Sequence, residues 1–204
     1  MRSLEQERIS EPDGTTADST HVKYVAAVFD RRHILMKPST KTPELQIQFT
    51  KRIDGSVSLR CVRRDGTATW ERHEKHAAFY AFHDLRHFAV ETVLAQRSGF
   101  YGLIADGWDI SDTTGKGKRG KLSATSLLVE HIVGLLDRER AGGAQPLSAA
   151  EFNEQLDTAL GPDPSRPRFS DEQLDAVRNR TDELHRQWAE ISPGSSLNLT
   201  FARD

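Results

Sequence analysis

The sequence predicts an α+β domain, an antiparallel β-meander of about four strands whose apolar face is covered by helices. Three observations carry this expectation. Two Asp-Gly pairs, Asp54-Gly55 and Asp65-Gly66, separate three segments of alternating hydrophobicity. Downstream, the apolar spacing lengthens to that of amphipathic helices. A last alternating segment, Leu197, Leu199 and Phe201, follows those helices and is expected to return to the sheet.

Taken in order, residues 1–20 are polar and rich in Glu, Asp, Ser and Thr, which predicts a disordered N-terminal arm ahead of a single α+β domain over residues 21–204. Tyr24-Val25-Ala26-Ala27-Val28-Phe29 reads as a short buried strand. Leu45, Ile47 and Phe49 alternate with Gln46, Gln48 and Thr50, and Val57, Leu59 and Cys61 alternate with Ser58 and Arg60. After the second turn, Ala68 and Trp70 are expected on the matching apolar face. A helix should run from about His76 to Gln96, stopped by Ser98-Gly99. The stretch from Phe100 to Trp108 suggests a short helical turn and a loop, and residues 111–121 a polar, basic loop. Ala124, Leu127, Leu128, Ile132, Leu135 and Leu136 mark one face of a second long helix. Ser148 with Glu151 and Ser170 with Gln173 are capping boxes, flanked by the hydrophobic staples Leu147–Phe152 and Phe169–Leu174. Gly161-Pro162 to Pro167 separates those two helices, and Pro193-Gly194 ends the last one.

Composition narrows the function classes. The chain of 204 residues is 36% hydrophobic and 28% charged, ordinary for a soluble globular protein. No apolar run reaches the roughly 18 residues of a transmembrane helix, so no membrane association is expected. The only cysteine is Cys61, which excludes an internal disulfide and a multi-cysteine zinc site and suggests a reducing, cytoplasmic setting. A formal net charge of -2 argues against a protein dedicated to nucleic acid.

The candidate site lies in the first long helix, at His83-Asp84-Leu85-Arg86-His87-Phe88-Ala89-Val90-Glu91. With about 100° per residue, His83, His87, Glu91 and Asp84 share one arc of roughly 100°. Apolar residues cover most of the remaining circumference, so the helix should be buried and its ionisable groups paired or metal-bound. Histidines at i and i+4 can converge on one ion. Side chains lean towards the helix N-terminus, so Glu91 is expected either to ligate or to orient His87. Asp84 is a candidate base. For a third ligand His131 is the first choice, with Glu130, Asp106, Asp109, His73 and His76 as alternatives. Zinc is the default for imidazole with carboxylate, and iron and manganese stay open.

The segment His83-Asp84-x-x-His87 locally resembles the HDxxH-x11-E zinc motif of a ubiquinone-biosynthesis family, whose glutamate would fall at Gly99 here. It also resembles the His-Asp pair of HD-domain phosphohydrolases, for which His76 and Asp106 are available as the outlying residues. Each resemblance covers only that short segment and assigns no family. Gly115 to Lys121 matches the GxxxxGK part of a phosphate loop, but Leu122 replaces the Ser or Thr that would hold magnesium. The expectation is a metal-dependent hydrolase acting on a small molecule, with Asp84 and Glu91 as catalytic carboxylates and His83, His87, Glu91 and His131 around a divalent ion. The alternative is an interaction protein whose His/Asp/Glu cluster is a buried structural network and whose basic loop 115–121 contacts an anionic partner.

Overall fold

Both Asp-Gly pairs turn the chain by the same local chemistry. The Asp54 carboxylate accepts hydrogen bonds from the backbone N–H and the hydroxyl of Ser56, at 3.0 and 2.6 Å. Asp65 does the same for Thr67, at 2.9 and 2.7 Å. Gly55 and Gly66 follow with φ of 82° and 84°, a conformation that side chains disfavour. These turns join β1 (Leu45–Lys51), β2 (Val57–Arg63) and β3 (Ala68–His73) into an antiparallel meander. A fourth strand, β4 (Ser196–Phe201), pairs antiparallel with β1, so the order is β3-β2-β1-β4.

The structure is a computed structural model that describes residues 44–142 and 145–202. The expected arm at 1–20 and the expected strand at Tyr24–Phe29 lie outside the described residues. The fold is α+β, and among the described residues five helices accompany the sheet: α1 (Ala77–Val93), α2 (Phe100–Ala105), α3 (Ala124–Gly142), α4 (Ala149–Leu160) and α5 (Asp171–Glu190). Ile110–Asp112 forms a single 3-10 turn. Both capping boxes are formed, and the staple residues Phe152, Phe169 and Leu174 are buried. Among the described residues no helix is long and apolar enough to cross a membrane.

The core has two parts, and α1 takes part in both. Ala81, Leu85, Phe88 and Ala89 pack with Leu45, Ile47, Phe49 and Leu59 of the sheet and with Leu184 and Trp188 of α5. Val90 and Leu94 pack instead with Val129, Ile132 and Val133 of α3, Phe152 and Leu156 of α4 and Leu174 of α5. A helix enclosed this way has little surface left, so its polar arc must meet protein groups or a cavity. Eight consecutive residues of α1, Asp84 to Glu91, are buried. The ends are not: Phe79 is 58% exposed, and Val93 is also solvent-facing.

β3 is turned over relative to expectation. Cys61 stands opposite Thr69, and Leu59 opposite Glu71. Paired residues project to the same face, so Thr69 takes the inward position and Trp70 is 68% exposed. The Thr69 hydroxyl oxygen accepts the N–H of Ile110 at 3.1 Å, which ties the inner face of β3 to the 3-10 turn. This register matters for the site, because it turns Glu71 and His73 towards the helices. On α3, Leu127 is exposed rather than part of the buried face.

Candidate metal centre

Of the two histidines of α1, His83 is held from one side by a carboxylate, and His87 lies near two without a hydrogen bond at Nδ1. His83 Nδ1 donates to Asp137 Oδ2 on α3 at 2.8 Å. The other oxygen of Asp137 pairs with the buried guanidinium of Arg86. His87 is 2% exposed, and its Nδ1 lies 3.5 Å from Glu91 Oε1. Among the described residues His87 Nδ1 makes no hydrogen bond, whereas in His83 the bond at Nδ1 leaves Nε2 as the nitrogen with a free lone pair. His87 Nε2 lies 3.7 Å from Glu130 Oε2. One ligand atom each from His83, His87 and Glu130 lies within 4.8 Å of the others, a group that could hold a metal ion. Around a tetrahedral ion bound at about 2.1 Å, ligand atoms stand about 3.4 Å apart, so His87 and Glu130 are close to coordinating separation.

Glu130, not His131, joins this group, and helix geometry gives the reason. The buried residues of α3 include Ser126, Leu128, Val129, Ile132, Val133, Leu135 and Leu136. At about 100° per residue, Glu130 and Asp137 fall within about 40° of Ser126, along one edge of that face. His131 falls beyond the opposite edge, near Leu135. Asp137 meets His83 and Glu130 meets His87, so α3 runs antiparallel to α1 at this contact. Glu130 and Asp137 are seven residues apart and flank the buried Val133. That acidic pair beside an apolar stripe is the sequence signal for α3's contribution. Asp137 was not among the expected residues.

Glu91 makes a different set of contacts. Its oxygens accept the backbone N–H groups of Tyr101 at 3.1 Å and Gly102 at 2.9 Å, and Phe100 N–H contributes as well. The carboxylate therefore caps the first turn of α2, where unpaired N–H groups favour an anion. Burial pushes the Glu91 carboxyl up to about 8, and those N–H groups act against it. Gly99 makes the approach possible, since a Cβ there would stand 2.4 Å from Glu91 Cδ. Position 99 thus packs against a carboxylate rather than supplying one.

Asp84 opens into a cavity of about 300 Å³ that is lined by His83, His87, Glu130, Glu71 and Tyr80 among others. The residue is 7% exposed, and among the described residues no group donates a hydrogen bond to its carboxylate. Burial pushes Asp84 up to about 7; His83 opposes the shift, and Glu71 and Glu130 add to it. Burial pulls His87 down to about 4 against the attraction of Glu130, so the ring is neutral and its nitrogen lone pair is free at neutral pH. His73 stacks on Tyr80 at 4.0 Å and 11° on the cavity wall. His76 precedes α1 in a left-handed conformation, φ 54°. Asp109 lies 3.5 Å from Arg63. In the basic loop, Lys118 N–H donates to Asp112, and Arg119 donates to the Gly107 carbonyl and lies over the Trp108 ring.

No family model matches the chain, and no curated protein and no solved structure shows significant similarity to it.

Proposed function

We propose that the protein is a metal-dependent hydrolase in which His83, His87 and Glu130 hold one divalent ion. The observation that carries this reading is the convergence of three ligand atoms on one cavity wall, with the His83 imidazole braced at Nδ1 by Asp137 and both histidines on the same face of α1. Two imidazoles and one carboxylate, with a coordination position left open, form the donor set of hydrolytic zinc sites, and zinc is the proposed metal.

The chemistry follows from the geometry. A divalent ion held by His83, His87 and Glu130 would supply Lewis acidity that favours deprotonation of water, and Asp84, which lines the same cavity, is the group to accept that proton. As water adds to an electrophilic carbonyl carbon, Asp84 would hold its proton and then return it to the leaving group. A carboxyl poised near pH 7 suits both directions of transfer. Asp137 positions the His83 ring, and Glu91 caps α2 behind His87. A cavity of about 300 Å³ suits a small molecule.

The test uses untagged full-length protein loaded with zinc, dialysed and measured by elemental analysis. One equivalent should remain. His83→Ala, His87→Ala and Glu130→Ala should each lose it while His131→Ala retains it. Asp84→Asn should keep the metal and lose hydrolysis of small esters and amides. A folded protein that retains no metal, or a His131 variant as damaged as the Glu130 variant, would refute the assignment.

A further inference from the structure

We infer that the substrate of this cavity carries a cationic nitrogen, an ammonium or guanidinium group, anchored by Glu71. The inference rests on the metal reading of the same site and adds its substrate class. Glu71, Asp84 and Glu130 all line the cavity, and no Lys or Arg does so among the described residues. Arg86, a buried cation close by, is engaged by Asp137 behind His83. Three carboxylates outweigh the two charges of one divalent ion, so the site keeps a net negative field with the metal bound. A phosphate or carboxylate substrate would enter against that field, and a cationic group would neutralise it.

Two further observations point to a ligand. Asp84 is more than nine-tenths buried and lines the cavity, and its carboxylate accepts no hydrogen bond among the described residues. Leaving such a group unpaired is costly, and a donor entering the cavity would satisfy it. Glu71 reaches the cavity because of the β3 register, and its side chain is 46% exposed at the rim. Its Oε2 is 3.9 Å from His73 Nε2, and among the described residues it accepts no hydrogen bond. The cavity walls also include the rings of Tyr80 and Phe100, which suit the apolar stem of an amine-bearing molecule.

Three hydroxamates of equal length, ending in an ammonium, a methyl or a carboxylate group, separate the possibilities when titrated calorimetrically into the zinc-loaded protein. The hydroxamate end binds the metal, and the far end reads the field. The ammonium probe should bind about tenfold more tightly than the methyl probe, the sum of a partly exposed ion pair and the field of its neighbours, and the carboxylate probe most weakly. In Glu71→Gln the ammonium probe should fall to the affinity of the methyl probe, and in wild type its advantage should shrink with salt. Equal affinities for the three probes, or a preference that survives Glu71→Gln, would overturn the inference and leave the metal site standing. So would a second equivalent of zinc that Glu71→Gln removes, because the acidic wall would then serve a second ion. Failure of the methyl probe to bind would instead sink the metal reading, and the inference with it.

Discussion

Replacing Asp137 with alanine tests whether the carboxylate behind His83 tunes a metal ligand or merely supports the fold. The side chain is 25% exposed and has two partners, His83 Nδ1 at 2.8 Å and the guanidinium of Arg86. Loss of the first frees the His83 ring to rotate. Removing such an outer partner costs 10–100-fold in metal affinity in general, about 1.4–2.7 kcal/mol. Loss of the second leaves Arg86, 3% exposed, as an unpaired buried cation. Breaking a fully buried pair costs roughly 3–5 kcal/mol, and partial exposure of Asp137 reduces this to about 2–3 kcal/mol. The two effects separate in the double variant Asp137→Ala/Arg86→Met, which removes the unpaired charge. Urea unfolding of the metal-free proteins should show most of the lost stability restored. Zinc affinity, measured by chelator competition at pH 7.5, should stay as low as in the single variant. An affinity within twofold of wild type in Asp137→Ala, or recovered in the double variant, would refute the argument.

Two other consequences are open to measurement. Burial pulls His185 down to about 4 from its ordinary 6.5, with Nε2 donating to the Phe82 carbonyl at 3.0 Å. The unfolded chain then binds a proton that the folded protein rejects. This contribution is complete above about pH 6.5 and is lost as pH falls towards 4, up to about 3 kcal/mol. The stability difference between wild type and His185→Phe should therefore shift over that window and stay constant above pH 7, as read by urea unfolding across pH. Gly99→Ala meets no backbone obstacle at φ -81° but sets a Cβ 2.4 Å from Glu91 Cδ and 2.7 Å from Val129 Cγ1. It should cost about 1–3 kcal/mol by overpacking and by displacing Glu91 from the α2 backbone N–H groups. An unchanged midpoint would show that Glu91 moves aside freely.

Much of the fold was legible in consecutive residues. Asp-Gly turns, alternation in β1 and β2, both capping boxes and the return of β4 are each encoded within a few positions, because turn chemistry and side-chain period are local. The burial of Asp84, His87 and Glu91 on α1 was legible for the same reason, since spacing on one helix fixes which side chains share a face, while His83 is only half-buried. β3 was read on the wrong face because its alternation is weak, and the pairing of Cys61 with Thr69 decides the matter. His131 drew attention over Glu130 because a local apolar pattern does not reveal how a helix is rotated against its neighbour.

The sequence alone determined that α1 would carry a polar arc into an apolar interior, a consequence of the helical period acting on a short segment. Only the tertiary structure decided what meets that arc. The antiparallel docking of α3 brings Glu130 and Asp137 to the histidines, the closing of α2 takes Glu91, and the β3 register delivers Glu71. Those partners lie far along the chain, and their meeting depends on packing across whole elements, which no local pattern specifies.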